Sequence, residues 1–123
     1  MTARKGIDFL ADITRDRRRR IEAMKLDRPQ GWLRAQLAPG RTAGRLEQAL
    51  RRATGDAPLN LLCEVKRASP SKGVLSEQVD PVGMAQLYQQ GGAAAVSLVT
   101  EPDHFLGDPS WMDRVRPAVE LPL

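Results

Sequence analysis

The chain has 123 residues, with 19 Lys and Arg against 15 Asp and Glu, and a hydrophobic fraction of 41%, which suits a single ordinary domain with a core of its own. One cysteine, Cys63, excludes an internal disulfide and a multi-cysteine zinc site, so a reducing compartment, the cytoplasm by default, is the expected location. No apolar run nears the roughly 18 residues of a membrane span, and Arg4, Lys5 and Asp8 interrupt what a secretion signal keeps apolar.

Ile7, Leu10, Ile13, Ile21 and Met24 recur at helical spacing and predict an amphipathic helix from about residue 4 to residue 26, with these side chains inward. The net charge of +4 is concentrated in its run from Arg15 to Arg20. A solvated helix face is the simpler reading of that run, because the aromatic side chains a nucleic-acid surface stacks on are scarce. Composition loosens at Pro29-Gln30-Gly31 and Pro39-Gly40. A second helix is predicted from Thr42, as N-cap, to about Ala53, with Leu46 and Leu50 inward and Gly55 ending it.

The texture changes at Leu59. Leu59 to Lys66 is a mostly apolar run between Pro58 and the turn-rich Ser69-Pro70-Ser71-Lys72-Gly73, which predicts a buried strand. Asp80-Pro81 then opens a helix with an N-cap and a proline in the first turn, and Gly91-Gly92 closes it. A second buried strand is expected from Ala93 to Thr100. Asp108-Pro109 repeats the cap-plus-proline signal before a helix to about Arg116, which Pro117 should end early. Val119 to Leu123 begins a third apolar segment, and the order β, α, β, α, β predicts a parallel sheet.

Within the first strand, alternation puts Leu62, Glu64 and Lys66 on one side and Leu61, Cys63 and Val65 on the other. The second side is purely apolar and suits a helix-covered face. The first sets a carboxylate and an amine in an otherwise buried strand, at a cost of several kcal/mol per charge unless they are paired. A structural ion pair without chemistry is the bland reading. The loop that follows favours a working site, because Ser69, Ser71, Lys72 and the backbone at Gly73 gather donors where parallel α/β folds bind ligands. Cys63, Trp32 and Trp111 read as packing residues, and His104 as a solvated loop residue.

The segment from Glu64 through Gly73 (EVKRASPSKG) resembles the signature of indole-3-glycerol phosphate synthases. The likeness continues through Asp80-Pro81, Gly91 to Ala95, Ser97 to Glu101 and Phe105-Leu106-Gly107, whereas residues 1–58 resemble the family's helical extension only loosely. The resemblance implies an α/β chain holding part of a (β/α)8 TIM barrel. Residues 59–123 would supply two βα units and the start of a third strand, and residues 1–58 an N-terminal helical extension that helps cover the substrate.

It also implies a carboxy-lyase of tryptophan biosynthesis. Such an enzyme closes 1-(2-carboxyphenylamino)-1-deoxyribulose 5-phosphate to indole-3-glycerol phosphate with loss of carbon dioxide and water, and needs no metal or organic cofactor. Lys66 would stand near the reacting ketone as an electrostatic or proton-donating group, and Glu64 would orient and tune it. Ser69, beside the rigid Pro70, would hold the substrate carboxylate, and Phe105 would line the slot for the anthranilate ring.

The partner implied is this phosphorylated small molecule, not a membrane or nucleic acid. The family's second lysine, its later glutamate and its phosphate site belong to strands beyond this sequence, so the chain is read as a fragment without appreciable activity alone. Two alternatives stay open: a half-barrel that assembles with a complementary chain or with fused tryptophan-pathway domains, and a non-enzymatic remnant that uses its basic helix.

Overall fold

The computed structural model describes residues 8–37, 43–52, 54–55 and 57–123. They fall into two compact units, within residues 1–41 and 42–123.

The first unit consists of helices α1 (Phe9–Asp27) and α2 (Gln30–Ala35). The Asp8 carboxylate accepts the Ala11 backbone N–H at 3.0 Å, capping one of the amides that a helix start leaves free. The inward stripe expected for α1 is not realised in this unit. Leu10, Ile21 and Met24 are exposed and no α1 residue is buried, because a helical stripe is covered only by a facing element of similar length and α2 has six residues. Ile7 lies outside the described residues. The loop expected at Gln30-Gly31 is instead the start of α2, where Pro29 stands as N-cap and its carbonyl accepts the Leu33 N–H. Trp32 is half-exposed, unlike the packing residue expected.

The second unit contains α3 (Arg45–Leu50), β1 (Leu62–Val65), a short hairpin of β2 (Ala68–Ser69) and β3 (Gly73–Val74), α4 (Pro81–Gln90), β4 (Ala95–Leu98) and α5 (Trp111–Val115). Helix α3 is shorter than expected and Leu46 is exposed, while Thr42 lies outside the described residues. β1 and β4 pair in parallel with Leu62 beside Ala95 and Val65 beside Leu98. Both strands are shorter than the apolar runs that announce them, because a strand extends only as far as its partner keeps register. The hairpin was not expected. Gly73, at φ +69°, takes the left-handed conformation its turn requires.

Helix α4 forms as read. The Asp80 carboxylate accepts the Val82 N–H at 3.1 Å, Pro81 fills the first turn, and Gly92 at φ +86° follows the helix end. The second cap signal works differently. Asp108 binds the Ser110 N–H at 2.8 Å in a turn, so α5 starts only at Trp111. It ends at Val115, ahead of a 3-10 turn over Arg116–Ala118 that contains Pro117.

Val119 to Leu123 forms no strand, although the Val96 N–H reaches the Pro122 carbonyl at 3.0 Å along β4. Side chains take its other carbonyls: Arg116 holds those of Val119 and Leu121, and Arg45 that of Glu120. The result is α/β architecture with helices against one face of a parallel pair.

The core lies on that face and contains Val65, Ala85, Val96, Trp111, Val115 and Val119. Trp111 is its largest fully buried side chain. Trp111→Ala is therefore expected to destabilise this unit by about 3–5 kcal/mol, from lost transfer energy plus a cavity, as read from the urea midpoint at unchanged slope.

Candidate functional site

Parallel pairing brings the C-terminal ends of β1 and β4 to the same edge; Glu64 lies within β1, and the segments that leave the two strands hold Lys66, Ser69, Pro70 and Phe105. Glu64 and Lys66 follow the alternation of β1 onto one face, opposite buried Val65. Their carboxylate and ammonium form an ion pair at 2.8 Å, with side chains 46% and 31% exposed. The deeply buried pair expected from the strand's apolar character is therefore partly open to solvent, which lowers its desolvation cost. The pair borders a pocket of about 340 Å³ whose apolar wall includes Val79, Met84 and Leu87.

The β2–β3 hairpin begins two residues after Lys66. The Ser69 hydroxyl accepts the Lys72 N–H at 3.3 Å, which leaves its own proton for a ligand, and Pro70 is half-buried beside it. Phe105 comes from the loop after β4. Its carbonyl accepts the Ala68 N–H at 3.1 Å, so the loops carrying Ser69 and Phe105 are joined one residue from Ser69. Two groups result: the Glu64–Lys66 pair on β1, and Ser69, Pro70 and Phe105 in the joined loops above its end.

Sequence reading missed three residues that build this arrangement. Arg67 donates to the Leu106 carbonyl at 3.0 Å and lies 5.3 Å from the Trp111 ring centroid, tying the first loop to the second and to the core. Its Nε is buried without a hydrogen-bond partner among the described residues. Glu101 is the second. Its carboxylate accepts the backbone N–H groups of Asp103, His104 and Phe105 at 3.0, 2.7 and 3.0 Å, and its carbonyl accepts that of Gly107 at 2.8 Å. Pro102 and Asp103 directly after it are turn-forming residues, the local signal for such a turn.

Gly107 is the third. A Cβ there would lie 2.0 Å from the Val99 carbonyl oxygen, so only glycine lets the loop return onto β4. Leu106 before it has φ +53°, the left-handed region. His104 is half-buried in this loop, so it is only partly solvated. Cys63 is a free, half-buried thiol on the Val65 side of β1.

Two carboxyls here titrate low. Burial opposes the charge of Glu101, but its backbone donors at His104, Asp103 and Phe105 outweigh that and hold the group below the usual carboxylate range. Asp108 is lowered by the backbone N–H and hydroxyl of Ser110, helped by the charges of Arg114 and Arg67. Among the described residues no three His, Cys, Asp or Glu side chains gather as a metal site, and no helix is long and apolar enough to cross a membrane.

A family model described as indole-3-glycerol phosphate synthase matches residues 10–123. The chain belongs to the indole-3-glycerol phosphate synthase family. The indole-3-glycerol phosphate synthase of Carboxydothermus hydrogenoformans is 41% identical over 119 residues, covering 94% of this chain and 45% of its own length. That of Chlorobium luteolum is also 41% identical, covering 94% of this chain and 43% of its own length. Identity reaches 49% with the Lachnoclostridium phytofermentans enzyme, over 65 residues that cover 53% of this chain and 24% of that protein. The chain thus spans less than half the length of these relatives.

Two outcomes follow from the loop. A carboxyl with a folded-state pKa below its unfolded value adds stability above that unfolded value and loses it as pH falls toward the folded one. Stability should therefore decline as pH drops through and below the ordinary carboxylate range of about 4, and Glu101→Gln should flatten that decline in urea titrations, leaving the share due to Asp108. Gly107→Ala should cost about 1–3 kcal/mol through overpacking, seen as a lower melting temperature.

Proposed function

We propose that this chain provides the N-terminal part of an indole-3-glycerol phosphate synthase, with residues 1–58 as a helical extension and residues 59–123 as the first units of a (β/α)8 barrel. The observation that carries the reading is the Glu64–Lys66 ion pair at 2.8 Å, set at the C-terminal end of β1 under the joined Ser69 and Phe105 loops. Ligands of parallel α/β folds bind at that end.

The substrate in this reading is 1-(2-carboxyphenylamino)-1-deoxyribulose 5-phosphate. The aryl carbon attacks the ketone carbon, a carbon–carbon bond forms, and the ketone oxygen takes up a proton. The ring carboxylate then leaves as carbon dioxide, and water departs to restore aromaticity. Lys66 places a positive charge and a proton where the ketone oxygen gains negative charge, and Glu64 holds the ammonium in that direction. The Ser69 hydroxyl donates to the substrate carboxylate, Pro70 stiffens the turn, and Phe105 covers the aryl ring.

The reading assigns no metal or organic cofactor to these steps and places the chain in the reducing cytoplasm, in keeping with its free Cys63. It gives the free edge of β1 a neighbouring strand, within the same polypeptide or on a complementary one.

One ammonium–carboxylate pair supports a single proton transfer, whereas the reaction calls for an acid at ring closure and an acid and a base at dehydration. The 123-residue polypeptide alone should therefore release no indole chromophore from substrate. Substrate should still bind. In a heteronuclear NMR titration, shifts are expected at Lys66, Ser69 and Phe105, and Lys66→Met should weaken binding roughly tenfold. Shifts confined to other residues, or equal affinity for Lys66→Met, would overturn the assignment.

A further inference from the structure

The backbone of Phe105 is held on both sides. Its N–H donates to Glu101 Oε2 at 3.0 Å, and its carbonyl accepts the Ala68 N–H at 3.1 Å. The first bond orients the peptide plane before the residue and the second the plane after it, so together they fix where the Cα, and with it the ring, stands. The same carboxylate takes the His104 N–H on Oε2 at 2.7 Å and the Asp103 N–H on Oε1 at 3.0 Å. The Glu101 carbonyl closes the loop on the Gly107 N–H at 2.8 Å.

The other anchor of Phe105 leads to the second half of the site. Ala68 precedes Ser69 in β2, where Ala68 pairs with Val74 and Ser69 with Gly73. Ala68 is 3% exposed and cannot shift to follow a moving loop, so the loop must be brought to it. Polar anchors therefore run from one carboxylate to Phe105 and on to the residue before Ser69.

We propose that Glu101 is a specificity-determining positioning residue. By setting Phe105 against Ala68 it fixes the spacing between the aryl slot and the Ser69 hydroxyl, and so selects a ring that carries a carboxylate. The proposal rests on the synthase reading, which supplies that ring and carboxylate as ligands. Glu101 acts through Phe105 and makes no contact with the ligand itself. A loop free to wander meets the ring or leaves the carboxylate on Ser69, but does not hold both in one pose, and the preference for a ring bearing both is lost. The side chain must be a carboxylate because only that group offers acceptors alone. Glutamine keeps one acceptor oxygen and turns the other position into an N–H donor, which then faces a loop amide.

The test is the ratio of affinities for two probes, measured by isothermal titration calorimetry on the 123-residue chain: 1-(2-carboxyphenylamino)-1-deoxyribulose 5-phosphate and its analogue without the ring carboxylate. The parent chain should prefer the carboxylated probe about tenfold, the worth of one charge-assisted hydrogen bond. Ser69→Ala removes that bond directly and Glu101→Gln through the loop, and each should bring the ratio to within about twofold. A role of Glu101 in stability alone would weaken both probes alike and keep the ratio. A preference that survives either substitution overturns the proposal, and survival in Glu101→Gln alone leaves the synthase reading standing. A parent chain that binds neither probe, or both alike, overturns the reading and the proposal together. Far-UV circular dichroism checks each fold. If Glu101→Gln does not fold, amide exchange in the parent chain decides. At equal saturation the carboxylated probe should slow exchange at Asp103, His104 and Phe105 more than the analogue does, because only its binding depends on the held loop. Equal slowing overturns the proposal.

Discussion

Four residues of parallel pairing, Leu62–Val65 beside Ala95–Leu98, set the terms for the rest of the second unit. Two parallel strands cannot be joined by a tight turn, so the chain must cross back, and α4 is that crossover. The crossover puts α4 on one face, where Ala85 packs with Val65 and Val96, and α5 adds Trp111 and Val115 to the same cluster. It also delivers both strands' C-terminal loops to one edge. The core and the candidate site are therefore consequences of the same pairing, one on each side of β1.

That division rests on the alternation of side chains along a strand. Val65 is 2% exposed, while Glu64 and Lys66, its neighbours in sequence, face the open side and pair with each other. Charges placed on the helix-covered face would have to be desolvated. On the open face each keeps some water and a partner, so an ammonium and a carboxylate persist side by side in a strand.

Above the strand, order comes from polar groups binding backbone. Glu101 gathers the amides of three loop residues, Arg67 reaches the Leu106 carbonyl while lying against Trp111, and Gly107 lets the loop close on β4. A loop of this length without such anchors would sample many shapes, and fixing each residue costs about 1–2 kcal/mol of entropy. The anchors offset that and place Phe105 beside Ala68.

Much was legible beforehand because it depends on short-range rules. Asp80-Pro81 and Gly91-Gly92 bracket α4, Pro117 marks the early end of α5, and alternation puts Glu64 and Lys66 on one face. The signature from Glu64 to Gly73 pointed to the family that residues 10–123 match. Other features depend on what lies nearby in space. The apolar stripe of α1 is visible in sequence, but burial needs a facing surface, and α2 is too short to provide one. The apolar runs of β1 and β4 exceed the strands because length is set by the partner's register, and Val119 to Leu123 is apolar without being a strand because side chains take its carbonyls. Sequence by itself determined which residues could form each element and which face of β1 carries charge, since both follow from covalent geometry and spacing. Tertiary structure alone decided that Ala68 meets Phe105 and that Glu101 and Arg67 hold the site's loops, because each joins residues distant along the chain or closes a loop whose conformation packing selects.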